Sequence, residues 1–387
     1  MCSIFANISE TDVVAIDTVD PNVVYVVGTK DRITNSPTAI ITQTLNGGNT
    51  WRRIYTHTHI SHFFGIHVPD PCTIWVTGCH SEFADGLVVC SRDGGNTWTG
   101  NLFPLSTAGT DYYTYCLYFI RALNDKTVWV CGRTVPGASD AFAVWRTTDA
   151  GLTWEKQTAI VPGNIAAIFT TIYIPLDKGG NTVWVSGFGT DGINLIPLLY
   201  RTNDALSTNP LWEAITTATE FPNGIWTQVN GVSSGCIWVA GSYIIGTTSI
   251  PYIRRTLDGG ENWVTLTLPN GLPIDKSTKA LVTSIATLPS NCPCPTLWIT
   301  LSNREVGEGV PVYNIILRSC DGGVTWSQVF KSLYPTEYGE LGYDSGGPTL
   351  IVRNYLKDRS PMIWCLVGCS SSTTSTTCRT LDLIKLS

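Results

Sequence analysis

The chain has 387 residues, of which 43% are hydrophobic and only 14% charged, with 36 glycines and 21 prolines. That mixture suits many short strands joined by tight turns, and it excludes a protein of long helices, whose solvent faces need Glu and Lys. The formal net charge of -6 is scattered without basic runs, which excludes a nucleic-acid binder with a basic stripe, and no apolar run approaches the ~18 residues of a membrane-spanning helix.

The first residues, MCSIFANISETD, contain no basic stretch followed by an apolar one. The expectation is therefore a protein without a secretory leader, intracellular or part of a particle assembled inside the cell. Thirteen cysteines are many, but they are odd in number and the chain is too large to need a disulfide framework. Cys90, Cys131, Cys236 and Cys365 fall in apolar strand patterns and read as buried thiols. The pairs Cys292 with Cys294 and Cys369 with Cys378 are the candidate exceptions.

In chain order, one unit recurs. Residues 10–56 carry the strand pattern DVVAIDTV, then VVYVVG around Tyr25, then the turn TLNGGNTW from Thr44, then WRRIYTH. Residues 57–104 repeat this with FFGIHV, TIWVTG around Trp75 and SRDGGNTW from Ser91. In 105–160 the series is YCLYFI, TVWVCG around Trp129, TTDAGLTW from Thr147 and WEKQTAI. Residues 161–217 have TVWVSG around Trp184, then Thr202-Asn203-Asp204 and, after an insertion, Trp212. Residues 218–267 have CIWVAG around Trp238 and TLDGGENW from Thr256, and 268–332 have ALVTSIATL, TLWITL around Trp298 and SCDGGVTW from Ser319. The last unit, 333–387, shows MIWCLVG around Trp364 and a weak turn copy at Arg379-Thr380-Leu381-Asp382. The aromatic precedes the acidic position of its turn by 18 residues (Trp75 to Asp93) to 23 (Trp298 to Asp321), so the two elements belong to one unit.

Four strands in each ~55-residue unit, without helical periodicity, predict an all-β, seven-bladed β-propeller spanning 1–387 as a single domain. The apolar strand in residues 1–9 has no place in the first blade and is expected to complete the last one, removing an exposed edge.

The turn explains its own composition. Gly-Gly allows the backbone to take positive φ. The acidic side chain accepts hydrogen bonds from the turn's own N–H groups, with the hydroxyl two places earlier adding another. The Trp covers the hairpin. The segment resembles the Asp-box, or BNR repeat, of sialidases, sortilin-type receptors, xyloglucan-cleaving glycosidases and Ycf48-type photosystem II assembly factors. That resemblance implies a structural role for Asn46, Asp93, Asp149, Asp204, Asp258, Asp321 and Asp382, with Trp51, Trp98, Trp154, Trp263 and Trp326, on the face opposite an active site.

Function is therefore expected among the loops of the other face. All five histidines lie between residues 57 and 80. His57, His59 and His80, with Glu82 and Asp85 nearby, form a candidate metal site, the only cofactor the sequence suggests. Tyr and acid gather at Asp111-Tyr112-Tyr113 and at Glu337, Tyr338, Glu340, Tyr343 and Asp344. A Tyr activated by a Glu is the nucleophile pattern of sialidases. Arg32, Arg133 and Arg304, placed in loops of different blades, are candidates to grip an anion. The leading expectation is a non-enzymatic platform for a protein or glycan partner, or a component of a larger assembly. The alternative is a sialidase-like glycoside hydrolase using Glu337, Tyr338, Arg32, Arg133 and Arg304.

Overall fold

A computed structural model describes residues 2–6, 11–19, 22–30, 38–57, 60–80, 86–102, 114–134, 141–161, 165–215, 223–272, 280–288, 295–303, 312–334, 349–354, 361–367 and 381–386. Among these, every regular element is a strand. After β1 (Cys2–Ala6), four strands pair in chain order: β2 (Thr11–Thr18), β3 (Val24–Lys30), β4 (Thr38–Thr44) and β5 (Arg52–His57). The same order is kept by β6 (Ile60–His67), β7 (Ile74–His80), β8 (Gly86–Ser91) and β9 (Thr99–Leu102). An eight-stranded sheet follows, made of β10 (Thr114–Ala122), β11 (Val128–Thr134), β12 (Val144–Thr147), β13 (Glu155–Lys156), β14 (Ala166–Tyr173), β15 (Val183–Thr190), β16 (Leu195–Thr202) and β17 (Glu213–Ala214). Its two halves of four meet through the single pair Arg133 and Ile168.

Two further sheets of four are β18 (Gly224–Gly231), β19 (Ile237–Ile245), β20 (Thr248–Thr256) and β21 (Val264–Leu266), then β22 (Ala280–Leu288), β23 (Thr296–Asn303), β24 (Val312–Ser319) and β25 (Ser327–Tyr334). The last contains β26 (Thr349–Asn354), β27 (Pro361–Val367) and β28 (Leu381–Leu386), with β1 as its fourth strand. As the sequence predicts, β1 pairs antiparallel with β28, Cys2 opposite Lys385 and Ala6 opposite Leu381. One expectation is corrected here. Asp382 is inside β28, opposite Val367 and Phe5, and not in a turn. Because β1 supplies the outer neighbour of β28, no hairpin is needed at that position.

The chain divides into two compact units, Met1–Phe63 with Ile244–Ile253 and Leu266–Ser387, and Phe64–Tyr243 with Arg254–Thr265. In the first, Tyr25 and Trp298 are buried, and the Arg318 guanidinium lies 5.6 Å from the centre of the Trp298 ring. In the second, a continuous apolar core gathers Trp75, Trp129, Val185, Phe142, Phe169 and Tyr200. Trp75, Trp129, Trp184, Trp238 and Trp298 are buried because each central strand has a neighbour on both edges and packed side chains on its faces. A ring of this kind removes ~150–250 Å² from water.

The glycine three residues after most strand tryptophans lies inside its strand and has a local cause. The first strand of the sheet carries a β-bulge, between Leu117 and Phe119, Phe169 and Thr171, or Trp226 and Gln228. A bulge bends its strand and increases the local twist. A Cβ at Gly132, Gly187 or Gly241 would overlap the carbonyl oxygen of Cys116, Ile168 or Ile225, so only glycine fits.

The cysteines divide differently from the expectation. Cys79 of β7 and Cys116 of β10 form a disulfide that ties neighbouring strands of the second unit, with Cα atoms 4.8 Å apart. Cys90 and Cys131 are buried thiols as expected, and burial pushes Cys90 up to about 11. Cys236 is half-buried in the turn before β19 and not within a strand. Cys365 is on β27. The pairs at 292 and 294 and at 369 and 378 lie outside the described residues.

Candidate functional site

The repeated turns are built alike from the residue upward. After β20, the Thr256 hydroxyl donates to Asp258 Oδ1 (2.7 Å) and accepts from Gly260 N–H (2.9 Å). Asp258 accepts from Asn262 N–H (2.9 Å) and Asn262 Nδ2 (2.8 Å), and Trp263 Nε1 donates to the Gly260 carbonyl (3.1 Å). The same pattern holds at Ser91, Asp93, Thr97 and Trp98, at Thr147, Asp149 and Thr153, and at Ser319, Asp321 and Thr325. Asn46 keeps the acceptor without the charge, receiving Thr50 N–H at 2.9 Å. Of these, Trp154 and Trp326 are half-buried, like Trp51, whose Nε1 donates to the Gly48 carbonyl at 3.0 Å.

These bonds favour the ionised acid. The Thr97 hydroxyl and N–H hold Asp93 at about 2, and those of Thr153 hold Asp149 at about 2. Asn262 N–H and the Thr256 hydroxyl hold Asp258 lower still, and the Thr202 hydroxyl lowers Asp204. A carboxylate this stabilised has little tendency to take a proton, so it is a poor general acid or base near neutrality.

A second recurrent device escaped the sequence reading. Arginine stands just before the turn hydroxyl at Arg146, Arg201, Arg255 and Arg318. Arg146 is buried and donates to the carbonyls of Ala205 and Ser207 (2.7 Å each) in the next turn, while pairing with Glu155 at 2.8 Å. Arg201 donates to the Gly259 carbonyl of the following turn, pairs with Glu213 at 2.8 Å and lies 5.6 Å from the Trp184 ring centre. Where Cys90 occupies this position, Arg92 takes over, donating to Asp125 and Ala150 carbonyls (3.0 Å each) over the Trp75 ring. Trp75 and Trp184 also meet the tryptophan of the next turn edge-on, Trp154 and Trp263, each at 6.3 Å.

Between two such turns of the second unit lies a polar cleft of about 410 Å³, lined by Lys178, Asn181, Asn203, Arg201, Ser234 and Asp258 among others. Asn181 accepts Ala205 N–H at its carbonyl (2.9 Å), and Asp177 receives the Ser234 N–H and hydroxyl, so its walls are fixed by hydrogen bonds. The cleft is lined by residues of the turns and of the hairpins beside them.

Of the other candidates, Arg133 is on β11 and half-buried, opposite Cys116 and Ile168, rather than in a loop. His57 ends β5, with its ring 6.3 Å from Tyr55. His80 ends β7. His67 is buried against the Ala122 carbonyl at 3.2 Å, a structural contact. No group of three or more His, Cys, Asp or Glu side chains is arranged for a metal among the described residues. Arg32, His59, Glu82, Asp85, Asp111 to Tyr113, Arg304, Glu337, Tyr338, Glu340, Tyr343 and Asp344 lie outside the described residues.

Antiparallel four-strand repeats without helices, with turns that clamp one sheet to the next, define a β-propeller. No family model matches the sequence, and no curated protein matches it. Among solved structures the chain is similar to YCF48 bound to D1 peptide, at 16% identity and a TM-score of 0.53, over 93% of this chain and 92% of that one. It is also similar to the phage phi92 endosialidase (10% identity, TM-score 0.52, 99% of this chain and 66% of that one). An ulvan polysaccharide lyase matches at 9% identity and a TM-score of 0.52, over 98% of this chain and 91% of that one. At these identities the likeness is one of fold.

Proposed function

We propose that this protein is a non-enzymatic binding or structural propeller of seven blades, a platform for a protein or glycan partner within a larger assembly. The observation that carries the reading is the commitment of the repeat's polar groups. Asp93, Asp149 and Asp258 spend their lone pairs on their own turns, and Arg146 and Arg201 spend their donors on the next. Groups engaged in this way position sheets and are not available for proton transfer or substrate charge. The solved YCF48 structure holds a peptide, which supports a peptide-binding role for this fold. The histidines at 57, 59 and 80 stand as a proposed metal site, tested by elemental analysis after zinc reconstitution.

The deciding experiment is a panel of fluorogenic sialosides and other glycosides incubated with purified protein. The reading predicts no turnover above a heat-denatured control. Turnover that disappears in Tyr338→Phe and Arg304→Ala would replace it with a sialidase-like hydrolase.

A further inference from the structure

In the second unit, the strands β6–β9 meet β10–β13 differently from the way β10–β13 meet β14–β17. Arg133, four residues past Trp129 on β11, bridges to Ile168, the residue before the bulged step of β14. Cys79 stands four residues past Trp75 on β7, and Cys116 stands one residue before the bulged step of β10, so the two cysteines occupy the same two places. There β7 and β10 share no backbone pair among the described residues, and the disulfide stands where the bridge would be. The rest of this boundary is held without it. At the other end of the same strands, Arg92 donates to the Asp125 carbonyl in the turn after β10 (3.0 Å), and Trp75 meets Trp154 edge-on. Midway, the Phe64 and Tyr118 rings are 5.1 Å apart. The covalent tie therefore governs one end of the boundary, where the chain leaves β7 and enters β10.

The two sulfurs are unequal. Cys79 is buried and Cys116 half-buried, so an incoming thiolate reaches Cys116 first. Arg133 faces Cys116 directly across β10 and β11, and a neighbouring arginine favours a thiolate there. Burial pushes the Cys131 thiol well above the ordinary thiol range, so it takes no part in exchange. With a dithiol as reductant, the first thiolate bonds to Cys116 Sγ and breaks the bond to Cys79, which leaves as a thiolate and takes a proton. The second thiol of the reductant, deprotonated, then bonds to the reductant's own first sulfur and releases the Cys116 thiolate. Two electrons pass to the cysteines, and the dithiol ends as a disulfide.

We propose that the Cys79–Cys116 disulfide is a redox-sensitive tie. A dithiol opens it in the folded protein, and opening frees the end of β7 from the start of β10 while the other end of the boundary stays clamped. The inference goes beyond the binding role proposed above, which stands or falls without it. The test is hydrogen exchange of the full chain, read by mass spectrometry before and after excess dithiothreitol in native buffer, with alkylation in denaturant reporting each thiol. Unreduced protein should keep Cys79 and Cys116 unlabelled. After native reduction both should be labelled, with the near-UV circular dichroism of the folded protein retained. Amides of 78–80 and 114–117 should then exchange at least about tenfold faster, and those of 92–95 and 123–127 within about twofold of the oxidised protein. Cys79→Ser with Cys116→Ser should show the fast pattern with or without dithiol. Labelling of both cysteines before reduction overturns the proposal, as does a disulfide that opens only in denaturant. Loss of the near-UV signal on reduction, or exchange at 78–80 and 114–117 that reduction leaves unchanged, also overturns it.

Discussion

At the turn after β20, Gly259 and Gly260 both take positive φ (75° and 102°), and Asp258 receives the N–H of Asn262, four residues on. At the turn after β16 neither glycine is present, and Asp204 receives the N–H of Leu211, seven residues on (2.9 Å). Both turns keep the hydroxyl bond, from Thr256 and from Thr202, and both dock to the preceding hairpin through one N–H, Gly259 to the Gly235 carbonyl and Ala205 to that of Asn181 (2.9 Å each). The comparison teaches that the repeat conserves an acceptor and its geometry, while glycine is needed only where the loop is short.

The largest expected effect breaks the short turn. A Cβ at Gly260 would combine a φ of 102° with a carbon 2.9 Å from the Trp184 ring. Gly260→Ala should therefore cost about 2–4 kcal/mol from strain and overpacking, read as a lowered urea midpoint. In the long turn, exposed Leu206→Ala should shift the same midpoint by less than about 0.5 kcal/mol.

Next comes the hydroxyl. Thr256→Val leaves Gly260 N–H without its acceptor and should cost about 1–3 kcal/mol. Thr202→Val should cost less, since its oxygen receives only the longer bond from Asp204 N–H (3.3 Å).

Acid should act through the short turns. Folded-state values near 2 for Asp93 and Asp149 lie below the ordinary carboxylate value of about 3.9. The stability they contribute is complete above the unfolded value and is lost as pH falls through the folded one, between about pH 4 and 2. Melting temperature should fall across that window, and less steeply in Asp93→Asn. One substitution has the opposite sign. Ala150 stands at φ 63° in a place that other short turns give to glycine, so Ala150→Gly should stabilise by about 1 kcal/mol.

The architecture was legible because each strand aromatic is followed by its turn 18 to 23 residues on, and the spare apolar segment at 2–6 had only one unfilled edge to occupy. The seventh turn was misread at Asp382, which lies with Leu381 in β28. The reason for the glycines after the strand tryptophans was hidden, since the carbonyl that excludes a Cβ at Gly187 comes from Ile168 on another strand. Cys79 and Cys116 are 37 residues apart, and nothing in thirteen cysteines distinguishes that pair before folding. The arginine before four of the turn hydroxyls was visible as a pattern. Its meaning required the next turn's carbonyls. For the site, sequence drew attention to the loops, while the cleft is lined by the turns and the hairpins beside them.

The central claim is that the turn carboxylates hold the fold and perform no chemistry. The most direct test is the urea midpoint of the triple variant Asp93→Ala, Asp149→Ala and Asp258→Ala, measured beside the parent with a glycoside turnover assay. The account predicts a clearly lowered midpoint and no turnover in either protein. An unchanged midpoint, with turnover in the parent that the variant loses, would contradict it.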